Sequence, residues 1–198
     1  MRTGFKAALR FVALLAVVPA LVSFWLRSLL VGRDRALVGS SQVLSLIPGL
    51  TGQYLRRAFL ARALAYCGPN AVIEFGVLFS QTGCRIDDYA YIGPRCSLGL
   101  VHIEAHVMLA AGVQIPSGPK THGTSTAATM RDQQGSPRQV TIGHGAWIGS
   151  SAVVMANVGH DSIVGAGAVV THEIPAMVVA GGVPARVIKQ RDAEPLQT

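Results

Sequence analysis

From residue 72 onward, aliphatic side chains recur every six positions, and this beat limits the possible folds more than any other feature of the chain. They fall at Ile86, Ile92, Leu98, Ile103, Leu109 and Ile115, and again at Ile142, Ile148, Val154, Val158, Val164 and Val170. The steps are 6, 6, 5, 6, 6 in the first run and 6, 6, 4, 6, 6 in the second, and Ile73 and Phe79 carry the beat upstream. Glycine follows the aliphatic residue at Gly93, Gly99, Gly143, Gly149, Gly159 and Gly165. A small residue precedes it by two at Ala90, Cys96, Ala146, Ala152, Ser162 and Ala168. A chain that coils as short strands joined by sharp turns has these needs: one aliphatic side chain per strand fills a narrow interior, and the turns demand residues that tolerate tight conformations. Six residues per side imply a triangular coil of parallel strands, hydrogen-bonded from coil to coil and stacked over one continuous core. An ordinary β-sandwich would show alternation at period two and hairpin turns, and neither is present.

The blocks YIGPRCSLG, TIGHGAWIGSSAVV, VGAGAVVTHEIP and VVAGGVPARVIK resemble the hexapeptide-repeat O-acetyltransferases, the group that includes sugar and maltose acetyltransferases, over residues 72–191. The resemblance implies a mainly β fold, a left-handed parallel β-helix preceded by N-terminal α-helices. It also implies assembly as a homotrimer, with acetyl-CoA as acyl donor in the groove between subunits, a saccharide hydroxyl as acceptor, and no metal. The handedness comes from the resemblance alone, since spacing does not fix it.

The beat stops at Ile115 and resumes at Ile142, leaving an extended polar loop over residues 116–139. Loops of this length are uncommon unless they carry function or are disordered. His122, in SGPKTHG, resembles the position from which the family's loop supplies a general base. A sugar hydroxyl is a poor nucleophile at neutral pH, and an imidazole can accept its proton as it attacks the thioester. No cysteine or serine stands out as a covalent carrier. By the same resemblance Ser150, Ala166, Thr171, His172, Arg186 and Lys189 occupy the positions that line the pantetheine arm and 3′-phosphate of coenzyme A. Lysine is frequent in the family where His172 stands. Trp147 resembles an aromatic that packs beside the catalytic loop, or simply covers a coil corner. His106, His144 and His160 read as solvated corner residues. The family's acceptor-side asparagine has no counterpart in VIEFGVLFSQTGCR, where Glu74 and Asp87 are the available carboxylates.

The formal charge of +7 is confined to one end of the chain. Residues 1–62 carry nine Lys/Arg against Asp34 alone, net +8, and the remaining 136 residues carry net −1. A basic, apolar arm fits an anionic membrane surface, whereas nucleic-acid binding would place the cations on the folded body. Sixteen uncharged residues lie between Arg10 and Arg27. As a helix they reach about 24 Å, short of the roughly 20 residues that cross a bilayer comfortably. They read as a tilted anchor, a re-entrant segment broken near Pro19 or a signal sequence without a clear cleavage site, and the alternative is a buried helix of a soluble protein. After a loop over 31–41, TGQYLRRAFLARALAY reads as a basic amphipathic helix that lies on a bilayer or packs on the next domain. The expected organisation is therefore an anchor helix at 1–35, a helical linker at 36–68, a β-helix at 69–191 and a tail at 192–198. With coenzyme A cytosolic, the location expected is the cytoplasmic face of the inner membrane.

Two other functions are compatible with such a coil. A γ-type carbonic anhydrase needs an HxxxxH pair and a third histidine one coil away, but only three residues separate His102 from His106. A non-catalytic trimeric scaffold needs no intact donor block. Cys67, Cys84 and Cys96 show neither CxxC spacing nor an even count, which suits a reducing compartment.

Overall fold

The computed structural model describes residues 2–120, 123 and 125–191. The repeat winds as a parallel β-helix of about six turns behind an N-terminal helical cap. The first face of the prism stacks Tyr66–Cys67, Arg85–Ile86, Val101–Ile103 and Val140–Ile142, and single bridges carry it on through Val158 and Ile174. The second face stacks Val72–Ile73, Tyr91–Ile92, Met108–Leu109, Trp147–Ile148, Ile163–Val164 and Val178–Gly181, and Arg186–Gln190 closes it as an antiparallel edge. The third stacks Leu78–Phe79, Ser97–Leu98, Gln114–Ile115, Val153–Val154 and Val169–Val170.

The beat read from the sequence is the interior. Ile73, Ile86, Ile92, Ile103, Leu109, Ile115, Ile142, Ile148, Val154, Val164 and Val170 are all fully buried. Each removes its side chain from water, worth on the order of 1.5–3 kcal/mol. The corners are equally regular. At the first corner, between first and second faces, Tyr89, His106, Gly145, Asp161 and Met177 take positive φ, and at the second corner Gly76, Arg95, Gly112, Ser151 and Gly167 do so. A left-handed non-glycine residue costs about 1–2 kcal/mol. Its N–H gains a partner in the coil before: Asp161 N donates to His144 O at 2.7 Å and Ser151 N to Ala111 O at 2.9 Å. His106, His144 and His160 are at the first corner as expected, with the His106 ring stacked on Tyr89 at 5.1 Å. At the third corner the step departs from six, being seven from Phe79 to Ile86, five from Leu98 to Ile103 and four from Val154 to Val158, and the polar loop leaves from here.

Three helices close the open end of the coil. α1 (Arg2–Val31) runs unbroken through Pro19, and Gly32, at φ 84°, turns the chain into α2 (Arg33–Ser45). The segment expected as a loop over 31–41 is thus helical from Arg33, because Gly32 alone supplies the turn. α3 (Gly49–Ala63) follows. Ala13, Val17 and Phe24 bury one stripe of α1, and Phe24 meets Phe59 of α3 edge-to-face at 5.6 Å. The helices are bonded to the first coil: Asp34 Oδ1 accepts from Thr82 N at 2.8 Å and from its hydroxyl at 2.7 Å. The Ser41 hydroxyl donates to Phe79 O at 3.2 Å.

Arg56 is the departure from an amphipathic pattern. Its side chain is 2% exposed, turned inward rather than to lipid or solvent. Nε donates to Ile73 O at 2.9 Å, and Nη1 to Leu44 O at 3.1 Å and Ile47 O at 2.6 Å. These carbonyls stand where the α2–α3 turn meets the first coil, and a guanidinium reaches all three.

Coil stacking makes two glycines behave differently. A Cβ on Gly149 would lie 2.5 Å from Ala166 N of the next coil, whereas a Cβ on Gly167, at φ 68°, would meet nothing within 4 Å. Gly149→Ala is expected to lower unfolding stability by about 1–3 kcal/mol, while Gly167→Asn, the residue type that adopts positive φ most readily after glycine, is expected to lower it by no more than about 1 kcal/mol in denaturant titration. Burial pushes the Cys67 thiol up to about 12, and those of Cys84 and Cys96 up to about 11. All three are protonated at neutral pH and shielded. They are expected to resist a thiol-alkylating reagent at pH 8 in the folded protein and to react together once it is denatured, as mass spectrometry would record.

Candidate functional site

The positions matched to the donor site gather at two corners and one edge of the prism. Ser150 and Ala166 are exposed at the second corner in successive coils, tied by Gly167 N donating to Ser150 O at 2.8 Å. Gly182 continues this stack, since Val169 N donates to its carbonyl at 3.0 Å. Arg186 opens the antiparallel edge strand opposite Gly181, so its guanidinium starts beside the same corner. Thr171 and His172 leave the third face on its other side, at the third corner, with the Thr171 hydroxyl 2.9 Å from His172 Nδ1. In one copy of the chain, Ser150, Ala166 and Arg186 are thus separated from Thr171 and His172 by the width of the third face. Arg186 and Lys189 are both exposed, and among the described residues neither has an acidic partner. That leaves both cations available to an anion.

Trp147 lies on the second face, three positions before Ser150 of the second corner and away from Thr171 and His172 at the third. It is 49% exposed and stands in a ladder with Tyr91, Met108, Ile163 and Val179, which meets Lys189 at the edge. Met108 is 53% exposed, so the ladder presents an apolar stripe along the coil axis.

The polar loop springs from the third corner. Its two arms are joined at the neck, where Arg138 N donates to Ser117 O at 2.8 Å and Ser136 N to Lys120 O at 2.7 Å. Further out, Gln133 binds Ser125 N at 2.8 Å through Oε1 and Ser125 O at 2.7 Å through Nε2. His122 lies outside the described residues. Under the neck runs a groove of about 210 Å³ lined by Pro119, Arg138, Met155, Asn157 and Glu173. It shares Asn157 and Glu173 with a wider hollow of about 480 Å³ over the first face that reaches His160. Asn157 Nδ2 donates to Glu173 Oε1 at 2.9 Å and Asn157 Oδ1 accepts from Thr141 N at 2.9 Å.

This Asn157–Glu173 pair and a second pair, His102 Nε2 against Asp87 Oδ2 at 3.0 Å, were not apparent from the sequence. Their signal is the coil length: Glu173 follows Asn157 by sixteen positions and His102 follows Asp87 by fifteen, close to one full turn. Glu74 is engaged by Gln53 Nε2 at 2.8 Å. His102 faces outward on the first face and His106 is at the corner, and among the described residues no group of three or more His, Cys, Asp or Glu is placed to hold a metal.

No family model matches the chain. Among solved structures, a maltose O-acetyltransferase from Clostridium difficile 630 is 24% identical over 81% of this chain and 87% of its own, with a TM-score of 0.70. A hexapeptide-repeat-containing acetyltransferase from Vibrio cholerae is 20% identical over 80% of this chain and 93% of its own, with a TM-score of 0.68. The N-acyltransferase AntD from Bacillus cereus, in complex with dTDP-4-amino-4,6-dideoxyglucose and coenzyme A, is 18% identical over 63% of this chain and 72% of its own, at a TM-score of 0.55. The chain has the parallel β-helix fold of the hexapeptide-repeat acetyltransferases.

Proposed function

We propose that the protein is an acyltransferase that moves an acetyl group from acetyl-CoA to a hydroxyl of a saccharide, in a site formed where copies of the chain meet. One observation carries this reading: the donor-type residues are split between the second and third corners, so a slender thioester would touch both sets only in a groove between one copy and the next. In a homotrimer each second corner would face a neighbour's third corner, generating three equivalent grooves. The exposed Met108 and Trp147, flanked by the half-buried Tyr91, Ile163 and Val179, offer apolar surface for that contact. That AntD forms a complex with both coenzyme A and a nucleotide sugar supports the pairing of donor and acceptor classes.

The chemistry follows from the residues. Arg186 and Lys189 would pair with the 3′-phosphate, and the small Ser150 and Ala166 let the pantetheine arm approach the backbone. Thr171 and His172 would border the arm from the other copy. His122 would take the proton of the acceptor hydroxyl as its oxygen attacks the thioester carbon. The tetrahedral intermediate then collapses, the C–S bond breaks, and the imidazolium returns the proton to the departing thiolate. Direct attack suits a protein whose three thiols are buried and protonated. The groove under the loop neck, with Asn157 and Glu173 as polar partners, would seat the acceptor.

The net +8 of residues 1–62 and the exposed apolar side chains of α1 support a membrane surface as the place of work. The span from Lys6 to Val31 is 26 residues of mean hydropathy 2.2 with 17% of its apolar window buried. An acceptor held on that surface, such as a lipid-linked or envelope glycan precursor, would be concentrated near the enzyme. The body would then face the cytoplasm, where coenzyme A resides.

Thiol release from acetyl-CoA, measured against a panel of saccharides, tests the reading. His122→Ala is expected to lower kcat by about 10² to 10⁴, with the KM for acetyl-CoA near wild type. Arg186→Ala is expected to raise that KM instead. Full turnover by the His122 variant would remove the assignment of the base. No acetyl-CoA binding by the wild type would favour a non-catalytic scaffold.

A further inference from the structure

Where α1 and α3 meet the first corner, the surface opens into a cleft of about 250 Å³ whose walls include Lys6, Arg10, Tyr54, Arg57, Asn70 and Tyr89. A second hollow of about 200 Å³ shares Arg10 and Arg57 with it and adds Phe11, Leu14, Ala61 and Arg62. Four cations from two helices therefore border one continuous depression. Carboxylates do not balance them. Asp88 is taken up by Asn70, whose backbone N and Nδ2 donate to it at 2.6 and 2.8 Å, and Asn70 Oδ1 accepts from Arg10 Nη2 at 2.7 Å. Glu74 is held by Gln53.

Arg57 shows the imbalance most clearly. Its Nε is buried and has no hydrogen-bond partner among the described residues. Burial holds the guanidinium below its ordinary pKa, with Cys67 opposing and Arg10 and Arg62 reinforcing the shift. A buried N–H without an acceptor costs about 1–3 kcal/mol, so an anion arriving here would relieve a penalty as well as add attraction. The apolar side of the depression narrows the choice of anion. Phe11 and Leu14 lead onto the exposed Leu15, Val18 and Val22 of α1, while Asn70, Tyr54 and Tyr89 make the opposite end polar.

We propose that this depression binds the phosphate or diphosphate of an amphiphile, with its phosphoryl oxygens on Arg10, Arg57 and Arg62, its chain along Phe11 and Leu14, and its polar remainder toward Asn70 and Tyr89. The assignment does not rest on acyl transfer, since it concerns residues apart from the two donor corners and is read by binding alone.

Equilibrium binding to the full chain in neutral detergent tests it, with dioctanoyl phosphatidic acid, dioctanoylglycerol and inorganic pyrophosphate as probes. Wild type is expected to bind the phosphatidic acid at least tenfold more tightly than either of the other two. Arg57→Gln and the more exposed Arg62→Gln should each weaken that binding roughly tenfold. Arg35→Gln, which removes an exposed charge elsewhere on α2, should leave it unchanged. Arg62→Gln keeps the test open should Arg57→Gln fail to fold. Equal binding by the Arg62 and Arg35 variants would overturn the site. Equal binding of dioctanoylglycerol would overturn the role of the phosphate, and equal binding of pyrophosphate would overturn the amphiphile in favour of a free anion.

Discussion

Close stacking of one coil on the next is the constraint on which the rest of this molecule depends. An aliphatic side chain must point inward from every strand, and at positions such as Gly149 no side chain fits because the next coil's backbone already occupies the space. Corner residues are drawn into left-handed conformations by carbonyls of the preceding coil. Residues roughly one turn apart in sequence consequently become lateral neighbours. Ser150 and Ala166, Asn157 and Glu173, and Asp87 and His102 all owe their proximity to that rule. The hollows of the prism itself lie over its first face and under the neck of the polar loop. Its corners, the loop that interrupts it and its contacts with other molecules are the places where a site can form.

The helical end obeys a different logic. A stack of coils needs a lid over its last open layer, and α1 to α3 provide one through Phe24, Leu37, Phe59 and Leu60. Asp34, Ser41 and Arg56 fix the lid to the first coil through hydrogen bonds to backbone groups or to Thr82. α1 is therefore part of the folded body along one stripe while its opposite side stays apolar and exposed. The same helix that caps the core thus carries an exposed apolar face, and the basic cleft opens beside it.

Legibility in the sequence tracked how local the determining physics was. Each inward side chain is set by its own position in a six-residue beat, so the interior, the six-residue sides and the site of the polar insertion could be read directly. Arg56 could not, because a basic residue among apolar ones looks amphipathic until the three carbonyls that surround it are brought together by the α2–α3 turn and the first coil. α2 was hidden by a glycine that turns the chain in a single residue. The antiparallel course of Arg186–Gln190 depends on the turn that follows Gly181, which interrupts no periodicity. The resemblance named the donor-type positions one by one, whereas their division between two corners is a property of the winding.

That division is the centre of the functional account, and mixing two inactive variants tests it most directly. Ser150→Trp with Arg186→Ala would disable only the second corner, and Thr171→Trp with His172→Ala only the third. Unfolded together and refolded as mixed assemblies, the two chains should recover activity in about a quarter of the grooves by random assortment, because an intact second corner then meets an intact third corner on a neighbour. A mixture as inactive as either variant alone would place the whole site within one copy of the chain and contradict the account.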